Sequence, residues 1–465
     1  MSQLIKIEIN NVKSRLIGEL DPKIISALYN KLAAEVQGSF YARKNNPYWD
    51  GKKHFFTKKG MAFATGMVWL VREVLDKYKI EYEHVDLRVK PEEQPSLPLH
   101  NVTLRPYQVQ SVEEAIKRER GIIRISTGGG KTTCIAALVG KLNLTTLILI
   151  HRQEIMQQIK ETLERILHVP IGVVGAGVVD IQSITVAMVQ SSHELKDFFP
   201  TVDVLIGDEG HHAPSETYWE VAQACPKAYY RYLFTGTDWR EDNMDILLDG
   251  FAAKKFVDIN ASTLIQDGWL VPPTIFLYDF KHERKPRKGM PYPEIYKQEV
   301  TNNAERNQLV VDIAMKAVQS DKSTLILINY IEHGENLLKI LEKVYPEAVF
   351  IHGSTESEKR QTVLREFKEG TRKLIISSNI LGEGVDIVKL EVLITARAEA
   401  STVAAYQALG RALRLSEGKS KAIVIDICDS GVKYLESHTS SRISVYTKEP
   451  LYKLVPIKTI NEVLF

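Results

Sequence analysis

One segment predicts the fold class of this chain: Ile122-Ile123-Arg124-Ile125-Ser126-Thr127-Gly128-Gly129-Gly130-Lys131-Thr132. Its first four residues form a short β-branched run, which predicts a buried strand. Three glycines follow the next two residues, and 132–139 then has the composition of a helix. A strand, a glycine loop and a helix in this order favour a phosphate-binding loop, because glycines let backbone N–H groups approach an anion at the start of a helix.

The residues of this loop have distinct expected roles. Lys131 is expected to reach the β- and γ-phosphates of a nucleoside triphosphate, and Thr132 to hold Mg²⁺. The other residues expected to bind the nucleotide here are Thr127, Gly128, Gly129, Gly130 and Thr133. The first position of the common pattern G-x-x-x-x-G-K-T holds Ile125 and not glycine, so a glycine turn before an ordinary helix is the alternative.

Two carboxylates follow a second apolar run. The run at 202–207 predicts another buried strand, and Asp208 and Glu209 come directly after it. Ligands of parallel α/β sheets collect at this end of the strands. We therefore expect Asp208 to hold Mg²⁺, directly or through water, and Glu209 to orient and activate the attacking water. His211 and His212 are adjacent, so their side chains diverge and a zinc site is disfavoured. We expect His211 to couple the ATP site to the rest of the protein.

Composition excludes several classes of protein. With 465 residues, 44% hydrophobic and 25% charged, the chain has the make-up of a soluble globular protein of two or three domains. Its net charge of +2 leaves the partner open, because basic groups can be local. Cys134, Cys225 and Cys428 are far apart, which disfavours a disulfide framework. Without an apolar run near the ~18 residues of a membrane span, a cytoplasmic protein without a membrane partner is expected.

The chain is expected to contain three domains. Residues 1–90 predict a small α+β domain with a helix at 24–37, and the proline-rich segment 91–100 predicts an extended linker. Residues 101–260 and 261–465 each alternate apolar runs with helical patterns, which indicates parallel sheets in an α/β fold. The glycines at 172–177 predict turns. Strands of the last domain are expected at 325–328, 349–351, 374–377, 392–395 and 423–425.

Two basic segments are candidates for nucleic-acid contact. The segment 41–60 contains Lys52 and Lys53 among aromatic residues, including Trp49, Phe55 and Phe56. Basic groups neutralise phosphates and aromatic rings can stack on bases; the alternative is a solvated hairpin with its aromatic residues in a local core. The segment 281–289 predicts a mobile basic loop that contacts DNA or is merely solvated.

A third motif lies near the end of the chain, in Tyr406-Gln407-Ala408-Leu409-Gly410-Arg411-Ala412-Leu413-Arg414. Gln407, Arg411 and Arg414 share one helical face. Fixed guanidinium groups stabilise charge on the transferring γ-phosphoryl group of P-loop ATPases. A surface helix is the alternative. If the arginines act on ATP, hydrolysis requires the two α/β domains to close, which converts the ATP cycle into motion.

Taken together, these motifs resemble those of superfamily 2 helicases over roughly residues 100–430. The resemblance implies two tandem RecA-like P-loop domains with parallel sheets, preceded by the small α+β domain, and it implies ATP and Mg²⁺ as ligands. It assigns adenine recognition to Arg105, Tyr107 and Gln108, and nucleotide contacts to Gly384 and Asp386. It assigns nucleic-acid contacts to Arg152, Gln190, His352, Gly353, Ser378 and Asn379. It assigns coupling to Thr235 and Thr237, beside a Gly236 that replaces the usual alanine.

The small basic N-terminal domain, with Asn46-Pro47-Tyr48-Trp49-Asp50-Gly51, is similar to that of the UvsW-type helicases of tailed phages. This resemblance implies an ATP-dependent helicase or translocase for branched DNA, such as forks and Holliday junctions, in recombination, repair or replication. It would place the protein in a bacterial host cytoplasm. Two other functions stay open: an RNA helicase, and an ATP-gated nucleic-acid clamp or annealing factor that does not unwind. An ATPase without a nucleic-acid substrate is a further alternative.

Overall fold

The computed structural model describes residues 4–35, 49–208, 216–236, 246–283, 285–378, 389–399, 409–410, 412–416 and 419–465. The chain divides into two compact units. The first consists of Met1–Ile125 and Gly130–Asp258, and the second of Ser126–Gly129 and Ile259–Phe465. No helix among the described residues is both long enough and apolar enough to span a membrane.

The first unit opens with a small α+β layer, which we call the N-terminal layer. Its elements are β1 (Ile5–Ile9), β2 (Lys13–Ile17), α1 (Pro22–Lys31), β3 (Ala33–Glu35), β4 (Lys52–His54), β5 (Phe56–Thr57), β6 (Ala62–Ala64), α2 (Val68–Lys77) and β7 (Tyr82–Asp86). Five strands form a sheet in the order β5-β6-β2-β1-β7, in which β1 and β7 are parallel. Apolar side chains of the sheet and both helices, such as Ile7, Leu28 and Val71, form its core.

Helix α1 is shorter than the sequence pattern predicts. The Asp21 carboxylate accepts a hydrogen bond from the backbone N–H of Lys23 at 2.7 Å, and Pro22 takes the first helical position, so the start is well specified. The helix ends at Lys31 instead of continuing to residue 37. Residues 33–35 pair with β4 as a two-stranded antiparallel sheet, and this strand pairing replaces the last predicted turn of helix.

The rest of the first unit contains the larger ATP-binding domain, as we call residues 101–125 and 130–258. Its elements are α3 (Pro106–Arg118), β8 (Arg120–Ile125), α4 (Lys131–Leu142), β9 (Thr146–Ile150), α5 (Gln153–Leu167), β10 (Gly172–Gly175), β11 (Val178–Asp180), β12 (Ile184–Met188), β13 (Val204–Gly207), α6 (Glu216–Ala224), β14 (Tyr230–Thr235), α7 (Ile246–Phe251) and β15 (Lys255–Ile259).

These strands form a sheet in the order β11-β10-β12-β9-β13-β14-β8-β15. The six strands from β10 to β8 in that order pair in parallel. Strand β9 is buried along its whole length, and α5 buries Ile159, Leu163 and Ile166. The predicted turns at 172–177 are instead a hairpin, with β10 and β11 paired across Ala176 and Gly177.

The linker runs along the ATP-binding domain without regular secondary structure between Leu87 and Arg105. The backbone N–H of Leu97 donates to the carbonyl of Gly140, and that of His100 to the carbonyl of Ile166, both at 2.8 Å. These bonds attach the linker to the ends of α4 and α5.

The N-terminal layer packs directly on the ATP-binding domain within the first unit. The Asn11 side-chain amide donates to the carbonyl of Pro226 at 3.1 Å, and Arg120 Nη2 donates to the carbonyl of Asn11 at 3.0 Å. At Gly66 the two backbones approach so closely that a Cβ atom would lie 2.0 Å from the carbonyl oxygen of Asp249. Only glycine fits this contact.

The second unit contains another α/β domain. Its elements are α8 (Ala261–Gln266), β16 (Pro273–Lys281), α9 (Tyr292–Tyr296), α10 (Ala304–Gln319), β17 (Thr324–Leu327), α11 (Ile331–Leu341), β18 (Val349–Ile351), α12 (Ser357–Glu369), β19 (Leu374–Ser377), β20 (Val392–Thr395), β21 (Ala422–Ser430), α13 (Lys433–Tyr446) and β22 (Lys453–Ile457). The strand order is β18-β19-β17-β20-β21-β16-β22, and neighbouring strands are parallel.

The expected fold class is therefore confirmed: two RecA-like α/β domains with parallel sheets follow the small α+β layer. The five strands predicted for the last domain are present, whereas β16 and β22 were not predicted.

A buried ionic network lies at the start of the predicted basic loop 281–289. Lys281 ends β16, and His282 is buried between Glu299 and Asp429, at 3.1 and 2.8 Å from their carboxylate oxygens. Arg306 also binds Asp429, with Nε at 2.7 Å. Burial opposes ionisation of Asp429, but Arg306 and His282 outweigh it and hold the pKa of Asp429 at about 2. The beginning of this segment is thus anchored in the protein interior.

Candidate nucleotide and nucleic-acid sites

The parallel strands of the ATP-binding domain end at one edge of their sheet. Strands β9, β12, β13 and β14 end at Ile150, Met188, Gly207 and Thr235. Because neighbouring parallel strands have their carboxyl ends on the same side, the residues that follow them also lie there. This topology brings Arg152, Gln190, Asp208 and Thr235 to the edge at which β8 leads into the phosphate loop.

Gly130 is the residue on which the phosphate loop turns into α4. Its φ of +78° is in the left-handed region, and a Cβ atom there would lie 2.6 Å from Nε2 of Gln108. Lys131, Thr132 and Thr133 form the first turn of α4 and are half-buried. The loop therefore has no room for a side chain at this position, directly before a helix N-terminus that favours an anion.

The preceding residues of the loop belong to the second compact unit. Gly128 has a φ of +86°, and the backbone N–H of Gly129 donates to the carbonyl of Ser126 at 2.9 Å. The Thr127 hydroxyl is buried and has no hydrogen-bond partner within the described ranges. A buried hydroxyl without a partner is costly, so these residues fit a polar ligand such as a phosphate.

Gln108 links the predicted adenine-recognition segment to the phosphate loop. It is only 3% exposed, and its Oε1 accepts a hydrogen bond from the backbone N–H of Arg105 at 2.9 Å, which caps α3. Arg105 Nη1 in turn donates to the Tyr107 hydroxyl at 3.0 Å. The Gln108 amide nitrogen is the atom next to Gly130. The sequence offered no signal for this contact.

Asp208 lies at the carboxyl end of β13 and is 5% exposed. Its backbone N–H donates to the carbonyl of Leu149 at 3.0 Å, which ties it to the neighbouring strand β9. The hydroxyl of Tyr218, from α6, lies 3.4 Å from the carbonyl oxygens of both Leu149 and Asp208. Tyr218 therefore contacts the backbone at Asp208, and the sequence did not indicate this contact because a buried aromatic residue in a helix has no distinctive pattern.

Two candidate nucleic-acid segments meet at the same edge. Nε2 of Gln190 lies 3.3 Å from the carbonyl oxygen of His151 and 3.4 Å from its Nδ1. Arg152 follows as the N-cap residue of α5. Thr235 is buried at the end of β14. The structure thus places Gln190 directly beside the residue that precedes Arg152.

The corresponding segments of the second unit are also adjacent. The backbone N–H of Ser378 donates to the carbonyl of Ile351 at 3.1 Å, which places Ser378 beside His352 at the ends of β19 and β18. His352 Nδ1 lies 2.9 Å from the Ser354 hydroxyl. The Gly353 carbonyl accepts from Nη2 of Arg360 at 3.4 Å.

The arginine segment has a support that the sequence did not reveal. The ammonium group of Lys419 donates to the carbonyls of Ala412 and Arg414, at 2.5 and 3.1 Å. Burial lowers the pKa of Lys419 to about 8 and also lowers the pKa of Arg414. Lys419 therefore acts as a clamp on the backbone that carries Arg414.

The basic N-terminal segment is more tightly packed than its composition suggests. Lys52 and Lys53 are consecutive in β4, so their side chains leave opposite faces of the strand. Phe56 is buried in the core and Phe55 packs edge-on against Trp219, with ring centroids 5.6 Å apart. These two rings therefore pack in the local core, as the alternative interpretation of this segment predicts.

The remaining predicted site residues lie outside the described residues; they are Glu209, His211, Thr237, Asn379, Gly384, Asp386, Gln407 and Arg411.

Comparison with known proteins shows which families this chain resembles in sequence. The family "Type III restriction enzyme, res subunit" matches residues 101–238, and the "Helicase conserved C-terminal domain" matches residues 305–416. The DNA 3'-5' translocase XPB2 of Sulfurisphaera tokodaii is 26% identical over 421 residues, which cover 80% of this chain and 94% of the relative. The ATP-dependent DNA helicase uvsW of Enterobacteria phage T4 is 22% identical over 391 residues, which cover 76% of this chain and 77% of the relative.

One solved structure supports the fold of this chain but not its function. A Dbp5 variant of S. cerevisiae, bound to RNA and ADP BeF3, superposes with a TM-score of 0.55 at 14% identity; the match covers 77% of this chain and 95% of that chain. The two family matches together span more than half of the sequence, one in each of the two α/β domains. The chain therefore belongs to the superfamily 2 helicases, within the family of ATP-dependent DNA helicases and translocases.

Proposed function

We propose that this protein is an ATP-driven motor that unwinds or branch-migrates branched DNA, such as forks and four-way junctions, in recombination, repair or replication. The observation that carries the motor assignment is the convergence at one sheet edge of the phosphate-loop helix, Asp208, and the contact between Gln190 and His151. A site for ATP next to a site for a strand is the arrangement that lets hydrolysis act on DNA.

The ATP site uses residues with complementary charges. Lys131 would bind the β- and γ-phosphates, and Thr132 and Asp208 would hold Mg²⁺, which neutralises phosphate charge when bound. The left-handed turn at Gly130, directly before the N-terminus of α4, supports this assignment. Glu209 would accept the proton of the attacking water. Nucleotide contacts are also proposed for Gly384 and Asp386.

Roles are also proposed for residues that do not bind the nucleotide directly through the phosphate loop. Gln407, Arg411 and Arg414 would stabilise charge on the transferring phosphoryl group, and the clamp by Lys419 supports a fixed position for Arg414. Coupling of hydrolysis to strand movement is proposed for His211, Thr235 and Thr237. Strand contacts are proposed for Arg152, Gln190, His352, Gly353, Ser378, Asn379, Lys52 and Lys53.

Branched DNA as the substrate rests on the resemblance of the N-terminal segment, with Trp49-Asp50-Gly51, to that of the UvsW-type helicases. The T4 relative, named an ATP-dependent DNA helicase, supports DNA as the substrate and not its branched form. The N-terminal layer is attached to the ATP-binding domain through Asn11 and Gly66, so a duplex arm that binds to it is held beside the motor.

The test is the ATPase rate at fixed salt without nucleic acid and with single-stranded DNA, duplex DNA, a four-way junction or RNA. We expect the junction to give the strongest stimulation, and Lys131→Ala to abolish it. Equal stimulation by all DNA forms would remove branched DNA from the proposal. Strongest stimulation by RNA would favour the RNA helicase alternative.

A further inference from the structure

A basic cleft lies where the N-terminal layer meets the ATP-binding domain. Its volume is about 540 Å³, and both parts of the first unit contribute to its walls. Six cationic side chains line it, against the single carboxylate of Glu119; they are Arg72, Arg88, Arg118, Arg120, Lys254 and Lys255. For a chain with a net charge of only +2, this is a marked local excess of positive charge.

Half of these cations are compensated by carboxylates. Arg88 lies 2.7 Å from Asp86 and 2.9 Å from Glu119. Arg118 pairs with Glu114 at 3.5 Å, and Lys255 pairs with Asp258. These three therefore contribute little net charge to the cleft.

The other three have no such partner. Arg72 Nε donates to the Tyr82 hydroxyl at 3.3 Å. Arg120 donates to the carbonyl of Asn11, and the Lys254 ammonium lies 5.3 Å from the centre of the Trp69 ring. In the part of the chain that the structure describes, none of the three forms an ion pair with a carboxylate.

Two buried donors in the same cleft also lack an acceptor. Nε of Arg120 and Nε1 of Trp69 are buried without a hydrogen-bond partner within the described ranges. A guanidinium and an indole N–H can only donate. Burial, together with the nearby charges of Arg231 and Arg88, outweighs the favourable charges of Glu119 and Asp86 and lowers the pKa of Arg120. An anion with several acceptor oxygens would relieve both the missing bonds and the repulsion.

We propose that this cleft binds phosphate groups of a nucleic-acid strand. The inference rests on the proposed function as a DNA motor, and it adds a second contact region to it. Three uncompensated cations on different elements match a ligand that carries repeated phosphates, because each cation can displace a counterion from a separate phosphate.

The cleft lies away from the sheet edge at which β8 leads into the phosphate loop. Arg120 begins β8, and the phosphate loop follows its other end at Ile125. At about 3.3 Å per residue, the two ends of this strand are roughly 17 Å apart. DNA in the cleft would therefore be held by the N-terminal layer and the ATP-binding domain together, away from the edge where strand contacts were predicted.

The test compares two double variants. Arg72→Ala with Lys254→Ala removes two exposed, uncompensated cations from the cleft. Lys23→Ala with Lys141→Ala is the control: it removes one exposed cation from the N-terminal layer and one from the ATP-binding domain, both outside the cleft. Affinity for a labelled 30-base-pair duplex is measured over a range of salt concentrations, with thermal melting to verify folding.

We expect the cleft variant to bind the duplex roughly tenfold more weakly and to lower the slope of log affinity against log salt by about 1.8, or 0.9 for each lost phosphate contact. The control should keep the wild-type slope. The charge-conserving variant Arg72→Lys with Lys254→Arg should also keep the wild-type slope, because charge and not side-chain shape is required.

Other outcomes would overturn the proposal. If the cleft variant keeps the wild-type slope while the wild type binds DNA, the cleft assignment fails and the motor assignment stands. If the cleft variant loses binding of inorganic pyrophosphate, measured in a Lys131→Ala background, but keeps the DNA slope, the cleft holds a free polyphosphate. If the wild type binds no nucleic acid at any salt concentration, the proposed function fails together with the cleft.

Discussion

Replacement of Gly130 by alanine tests the structural link between the phosphate loop and the adenine-recognition segment. An alanine at a φ of +78° costs about 1–2 kcal/mol, because its Cβ approaches the carbonyl oxygen. The new Cβ would also lie 2.6 Å from Nε2 of Gln108, which is too close. If Gln108 moves, its bond to the backbone of Arg105 is lost, at a cost of about 0.5–1.5 kcal/mol.

Gly177 provides the matched control. Its φ of +82° is almost the same, but a Cβ atom there would meet nothing within 4 Å. Gly177→Ala should therefore show the backbone cost alone, and Gly130→Ala should destabilise the protein by about 1 kcal/mol more. Because the loop itself is displaced, we expect ATP turnover to fall by about 100-fold in Gly130→Ala and to be unchanged in Gly177→Ala.

The assays are urea unfolding, for the stability of each variant, and the steady-state rate of ATP hydrolysis. Gly130→Ala with Gln108→Ala should recover part of the stability, since the steric contact is gone. Equal destabilisation of the Gly130 and Gly177 variants, with turnover retained within twofold in both, would refute the reasoning.

Three further predictions concern other sites. Lys131→Ala should abolish ATP hydrolysis and leave DNA affinity largely unchanged, as measured by turnover and fluorescence anisotropy; retained turnover would remove the phosphate-loop assignment. Neutralising Lys52 and Lys53 should weaken DNA binding and flatten its salt dependence, and an unchanged salt slope would mean that they are merely solvated. Burial lowers the pKa of His333 to about 3, against 6.5 in the unfolded chain, so stability that is present above pH 6.5 is lost as the pH falls towards 3. Between pH 7.5 and pH 5 the wild type should lose about 2 kcal/mol more than His333→Gln, which can keep the donor to Asn307 Oδ1; equal losses in urea unfolding would contradict this.

The sequence predicted the central strands well because they are buried on both faces. Runs such as 147–150 and 374–377 are continuous and apolar, and parallel strands covered by helices require this composition. Strand β22 was missed because Pro456 interrupts its pattern; it lies at the edge of its sheet, where proline is tolerated. Strand β16 was missed because it starts at a proline and carries Asp279 and Lys281 among its apolar residues.

The position of the candidate site residues of the first domain was predictable because topology alone brings strand ends to one edge. What could not be predicted are contacts between residues far apart in sequence that no local pattern encodes. The approach of Gln108 to Gly130, the clamp of Lys419 on the carbonyl of Arg414, and the burial of His282 are of this kind. The basic cleft is another example, because its cations come from separate segments of the sequence that meet only when the N-terminal layer packs on the ATP-binding domain.

The most direct test of the central claim is the fate of a labelled four-way junction incubated with the protein and ATP, resolved on a native gel. We expect conversion of the junction to duplex or forked products that requires ATP hydrolysis and is absent in Lys131→Ala. An intact junction, under conditions where DNA stimulates ATP hydrolysis, would contradict a branched-DNA motor and identify an ATP-gated clamp instead.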